Sequence, residues 1–168
     1  PLENFQRAEA LAQVATFENR HRASITTPSQ CDAVYASTPS PSIDWEAMPR
    51  LLFIGDVVAE PGRRALEGVL PRLREQYEPE FIVVNGENAA DGIGITPRLA
   101  DRILAAGADA ITLGNHTWRR QEIAPYLAAS TQVIRPANMP AASPGRGLTV
   151  VEARDGSAVA VISLLGSL

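Results

Sequence analysis

Gly114-Asn115-His116-Thr117-Trp118 follows directly on the apolar run Ala110-Ile111-Thr112-Leu113. A short apolar run that ends in Gly-Asn-His reads as a strand delivering an amide oxygen and an imidazole to its C-terminal end. Open α/β sheets place their ligands at that edge. Two earlier runs end in the same way. Arg50-Leu51-Leu52-Phe53-Ile54 runs into Gly55-Asp56, and Phe81-Ile82-Val83-Val84 runs into Asn85-Gly86-Glu87-Asn88. Parallel strands joined by right-handed crossovers share one sheet, so their C-terminal ends face one side. Asp56, Glu87, Asn88, Asn115 and His116 are therefore expected together. Their oxygen and nitrogen donors suit a hard or borderline divalent metal.

Between these strands the pattern reads as helix. The first opens near Pro61, carries the apolar face Leu66, Val69, Leu70 and Leu73, and contains Pro71, which is expected to kink or interrupt it. Thr96 caps the second, with Pro97 at its first position and Gly107 at its end. A third is expected near Gln121–Ala128, then a short strand at 132–134. Strands near 148–154 and 157–164 flank Asp155-Gly156, a hairpin turn signal. The sum is βαβαβα followed by an antiparallel hairpin.

Residues 1–47 read differently. Leu2, Phe5, Ala8, Leu11, Ala12, Val14 and Phe17 recur at threes and fours, which predicts an amphipathic helix up to about Arg22. Residues 26–43 are rich in Ser, Thr and Pro and read as a linker. The helix is either a partner-binding or oligomerisation element or an extension with no role in the chemistry. The chain opens on Pro1 and stops at Leu168 just after a strand-like run, so both ends look cut, and Met48 is a plausible natural start.

Composition narrows the classes. The 168 residues carry a net charge of −4, with 45% hydrophobic and 20% charged residues, an ordinary soluble balance without the basic footprint of a duplex nucleic-acid binder. No apolar run approaches the roughly 20 residues of a membrane span. With no signal peptide visible either, a cytoplasmic location is the default. Cys31 is the single cysteine, so no intrachain disulfide forms. All 15 basic residues are arginine. That removes P-loop chemistry, which needs its lysine on the phosphates, and Schiff-base chemistry, which needs a lysine amine.

Each candidate has a plain alternative. Asp56 is also a turn former, Glu87 a surface carboxylate, Asn88 and Asn115 local caps, and His116 a packed histidine; their joint occurrence at successive strand ends favours a shared site. Gly92-Ile93-Gly94 lacks the third glycine of a dinucleotide loop, Pro97 standing in its place, and reads as a loop flanking the site. Arg63 and Arg64 could steer a phosphate or lie on a solvated helix face. Arg135-Pro136-Ala137-Asn138 could form a substrate wall.

At Leu52-Phe53-Ile54-Gly55-Asp56-Val57-Val58, Asn85-Gly86-Glu87-Asn88-Ala89-Ala90, Gly114-Asn115-His116-Thr117-Trp118 and Arg135-Pro136-Ala137-Asn138 the chain resembles the calcineurin-like metallophosphoesterases, and among them the bacterial YmdB-like family of 2′,3′-cyclic nucleotide phosphodiesterases. The resemblance spans about residues 48–168. It implies a calcineurin-like α/β/β/α sandwich, here incomplete, preceded by the N-terminal helix and linker. Val58 stands where the broader superfamily has a histidine, as in the YmdB-like variant. Two divalent metal ions, iron or manganese, are implied: Asp56 and Asn88 on one, Glu87 bridging, Asn115 on the second, with His116 donating a proton to the leaving oxygen. Two cations roughly 3.5–4 Å apart can activate a hydroxide and clamp the oxygens of a small phosphodiester such as a cyclic nucleotide. Family members complete the site with histidines from the second half of the fold, and this chain has only His21 and His116. By itself it is expected to be weakly active or inactive unless another chain, for example in a homo-oligomer, supplies the rest. The alternative is a non-catalytic regulatory or partner-binding module derived from such an enzyme.

Overall fold

In the computed structural model, residues 49–166 are described. The helix expected over 2–22 and the linker after it lie outside them. Strands β1 (Leu51–Ile54), β2 (Phe81–Asn85), β3 (Ala110–Thr112) and β4 (Val133–Ile134) pair in parallel in the order β1-β2-β3-β4. Helices α1 (Ala59–Tyr77), α2 (Pro97–Ala105) and α3 (Ile123–Ala129) connect them. Strands β5 (Leu148–Glu152) and β6 (Ala158–Ile162) form a separate antiparallel pair.

Strand side chains alternate faces, and the two faces of the parallel sheet bury different partners. Leu52, Ile82, Val84, Ile111 and Val133 share one core with Leu66 and Leu70 of α1, Ala100 and Ile103 of α2, and Ile123 and Leu127 of α3. On the opposite face, Phe81, Val83, Ala110 and Ile134 meet Ala153 and Val161, with Val151 and Val159 against them. The layers are thus helices, parallel sheet, hairpin. Strand β2 is covered on both faces, which is why Phe81-Ile82-Val83-Val84 is apolar without alternation. Side-chain hydroxyls tie the hairpin layer to the sheet: Thr149 Oγ1 donates to Thr131 O at 2.5 Å, and Ser163 Oγ to Leu113 O at 2.8 Å.

Local signals account for most element ends. Thr96 Oγ1 accepts from Leu99 N at 3.3 Å with Pro97 in the first turn, and Gly107 (φ 117°) follows the C-terminus of α2. The hairpin closes with Gly156 N to Ala153 O (3.0 Å) and Ala153 N to Ser157 O (2.8 Å), Gly156 taking the left-handed position (φ 84°). That is a type I turn followed by a glycine bulge. Pro71 departs from expectation, because α1 runs unbroken from Ala59 to Tyr77 with Pro71 inside it. Pro71 is exposed, so the carbonyl that loses its amide partner can turn to water, while buried Leu66 and Leu70 anchor the helix on its other side. No helix among the described residues is long and apolar enough to cross a membrane.

Candidate active site

The loops after β1, β2 and β3 meet at the C-terminal edge of the sheet. Backbone pairing continues past the strand ends: Val57 N donates to Asn85 O and Ala59 N to Asn88 O, both at 3.0 Å. Ala59 takes a left-handed conformation (φ 51°) as α1 begins. This pairing brings Asp56 beside the turn after β2. Gly86 N in turn donates to Thr112 O (3.1 Å), joining that turn to β3.

Three of the five expected side chains form a hydrogen-bonded chain. Asn88 Nδ2 donates to Asp56 Oδ2 at 2.7 Å, and His116 Nδ1 lies 2.5 Å from Asn88 Oδ1. An amide oxygen only accepts, so Nδ1 carries the proton and Nε2 is the nitrogen free to act elsewhere. Asn88 is buried, whereas Asp56 is open to solvent and His116 half-buried.

Glu87 approaches from the same turn. Its backbone N–H is held by Asn85 Oδ1 at 3.0 Å, and its Oε2 stands 3.5 Å from His116 N. The carboxylate lies directly over Gly114, where a Cβ would fall on it. The glycine of Gly-Asn-His thus makes room for Glu87. Asn115 sits exposed in the same loop. Thr117 is fully buried, its Oγ1 donating to Gly114 O at 2.6 Å and fixing the loop's curl.

Among the described residues no three His, Cys, Asp or Glu side chains gather as a metal-ligand group. The donor set here is two carboxylates, two amides and one imidazole. Such donors fit a hard or borderline divalent cation only with the amide oxygens of Asn88 and Asn115 counted in. The space kept for the Glu87 carboxylate over Gly114 agrees with that fit.

Other expectations resolve differently. Arg63 does not lie on a free helix face, because its Nη1 donates to Ala89 O in the loop after Asn88, while its Nε is buried without a hydrogen-bond partner among the described residues. Arg64 pairs with Glu60 on the open face of α1 (2.5 Å). Arg135 is buried and holds its own loop, donating to Pro136 O (2.9 Å) and Pro144 O (3.2 Å). Asn138 exchanges two hydrogen bonds with the backbone of Leu165 (2.7 and 2.9 Å). The Arg-Pro-Ala-Asn segment therefore braces the hairpin layer. Arg120 was not singled out by the sequence, yet it crosses from the loop after His116 to the loop after Asn88. No periodicity or motif marks a side chain that bonds across two loops.

A parallel sheet with helices on one face, a second sheet on the other, and Asp, Glu-Asn and Asn-His at consecutive strand ends defines the calcineurin-like α/β class. Within it the chain belongs to the YmdB-like family, whose pattern matches residues 52–168. It is 47% identical over 117 residues to a 2′,3′-cyclic-nucleotide 2′-phosphodiesterase of Bacillus subtilis, across 70% of this chain and 44% of that protein. The crystal structure of a hypothetical protein from Thermus thermophilus superposes with a TM-score of 0.63 at 40% identity, over 69% of this chain and 44% of that one. A novel phosphatase from Mycoplasma pneumoniae superposes at 0.64 with 28% identity, over 70% and 43%. The chain thus spans less than half the length of these relatives.

Proposed function

We propose that this chain carries the first βα units of a metal-dependent phosphodiesterase that hydrolyses a small phosphodiester, a 2′,3′-cyclic nucleotide in particular. The observation that carries this reading is the Asp56–Asn88–His116 chain of hydrogen bonds at the strand ends, with Glu87 beside it. The similarity to the Bacillus subtilis phosphodiesterase supports the substrate class.

Asp56 and Asn88 would hold one divalent ion, Glu87 would bridge to a second, and Asn115 would bind the second. Iron and manganese both accept such mixed oxygen and nitrogen donors. When bound, the ions supply positive charge to the phosphoryl oxygens and activate water for in-line attack. In the metal-bound site Asn88 Oδ1 would serve the ion, and His116 would give a proton to the departing alkoxide. The turn at Gly114 fixes where the Glu87 carboxylate can stand.

The test is metal content and hydrolysis of bis-p-nitrophenyl phosphate by this exact chain supplied with manganese. About two metals per chain with turnover would mean that the site is complete, another copy supplying the missing ligands; little metal with weak or no turnover is the result expected of the first βα units by themselves. Glu87→Gln should lower bound metal; unchanged metal would remove Glu87 from the bridging role. His116→Ala should keep metal and lose about 10²-fold or more of turnover, the usual scale for a general acid. Loss of metal in that variant would make His116 a ligand instead. A second reading, a non-catalytic module, draws on the histidine count of 2 and on the absence of a three-member His/Cys/Asp/Glu group among the described residues. It predicts that the gene encodes no downstream segment with several histidines.

A further inference from the structure

The turn that carries Glu87 and Asn88 continues into a loop, residues 89–96, that is gripped from two sides. From α1, Arg63 Nη1 donates to Ala89 O. From the segment after His116, Arg120 Nε donates to Ile93 O (3.3 Å) and Arg120 Nη2 to Ala90 O (3.1 Å), with Asp91 Oδ2 at 3.4 Å. Gly94 (φ 80°) lies so close to this segment that a Cβ would stand 2.9 Å from Arg120 Cγ and 3.2 Å from Arg119 Cβ. Within the loop, Ala90 N donates to Gly94 O (2.8 Å) and Gly92 N to Asn88 O (3.1 Å).

The geometry points to Arg120 as a positioning residue that locks the Glu87-Asn88 turn to the His116 loop and thereby sets the separation of the cation donors. It rests on the cation reading above and goes beyond it. The recess between these loops is lined by Arg63, Arg119 and Arg120 and resembles an anion pocket. Two facts argue against that use. Arg63 Nη1 and Arg120 Nε and Nη2 already donate to carbonyl oxygens, and Asp91 and Glu122 share the wall. A guanidinium suits the clamp because its planar fork reaches two carbonyls at once, which an ammonium on a flexible stem does not. Groups that orient metal ligands from behind commonly change metal affinity by roughly 10- to 100-fold when removed.

The experiment compares the unaltered chain with Arg120→Met and Arg120→Lys, using Mn²⁺ titration by calorimetry and amide hydrogen exchange. Arg120→Met should weaken Mn²⁺ binding about tenfold or more and speed exchange at Ala90, Gly92 and Ile93, while Ile82 and Val84 in β2 exchange as before. Arg120→Lys, which keeps the charge and loses the fork, should behave like the Met variant. Mn²⁺ affinity within twofold of the unaltered chain in Arg120→Met, or full retention in Arg120→Lys, would overturn the clamp. Should the unaltered chain take up no Mn²⁺, the cation reading itself fails, and the exchange rates alone decide the clamp: unchanged rates at residues 90–93 reject it.

Discussion

Gly114 is the residue at which backbone and site chemistry meet. Its φ lies outside the left-handed region, so alanine there carries no backbone strain, but the new Cβ would occupy the place of the Glu87 carboxylate. The displaced group is the far end of a flexible side chain, so the fold should tolerate the change. Gly114→Ala is therefore expected to change the unfolding free energy by less than about 1 kcal/mol while sharply reducing Mn²⁺ uptake. A variant that binds Mn²⁺ normally would show that Glu87 does not need this position. The grouping of Asp56, Asn88 and His116 was legible in the sequence because strand ends of one parallel sheet must face one side. The close approach over Gly114 and the reach of Arg120 were not, since both depend on loops meeting across the sheet edge. The sequence leaves Arg63 open between a phosphate and a solvated helix face, and Arg135 open as a substrate wall; both guanidinium groups donate to backbone carbonyls, because a long cation inside a protein must find acceptors.

At the scale of elements, helix α2 is fastened to its neighbours tightly enough to test. A Cβ on Gly86 would stand 2.9 Å from Ile111 Cγ2 and 3.1 Å from Ile95 Cδ1, with Ile103 Cδ1 of α2 at 3.5 Å. These are core methyls with little freedom, so Gly86→Ala should cost about 1–3 kcal/mol through overpacking, read as a lower urea midpoint. Tyr126 of α3 donates its hydroxyl to Asp101 Oδ1 of α2 at 2.7 Å. Burial and then the Asp101 carboxylate push the Tyr126 phenol up to about 12 from its ordinary 10.0. The unfolded chain ionises this tyrosine first as pH rises, so its contribution to stability is whole below pH 10 and is lost between about 10 and 12. Urea midpoints should fall between about pH 10 and 12, and Tyr126→Phe should make that fall shallower. An identical fall in the variant would assign the loss to other groups. The βα alternation itself was readable because apolar runs, capping threonine and terminal glycines mark each boundary locally. The continuity of α1 through Pro71 was not, because it depends on which side of the helix faces solvent.

Across the whole molecule, one apolar face has no layer over it among the described residues. The hairpin turns Thr149, Val151 and Val161 inward, and leaves Leu148, Val150, Ile162 and Leu164 exposed, Leu148 directly opposite Ile162 in the ladder. Monomers rarely leave such patches in water. The chain is therefore expected to bind an apolar dye such as anilinonaphthalene sulfonate in its native state, and Val150→Lys with Ile162→Glu should reduce the fluorescence with little change in the unfolding midpoint. Unchanged fluorescence would place the dye elsewhere. Asp56, Asn88 and His116 are neighbours in space but lie 32 and then 28 residues apart along the chain. The unfolded polypeptide offers no such cluster, so a cation that prefers it can be held only by the folded form. Mass action then turns metal into a thermal stabiliser: at a hundredfold excess over its dissociation constant the ion adds about 2.7 kcal/mol, and a melting curve that rises with Mn²⁺ would report the site without any substrate present.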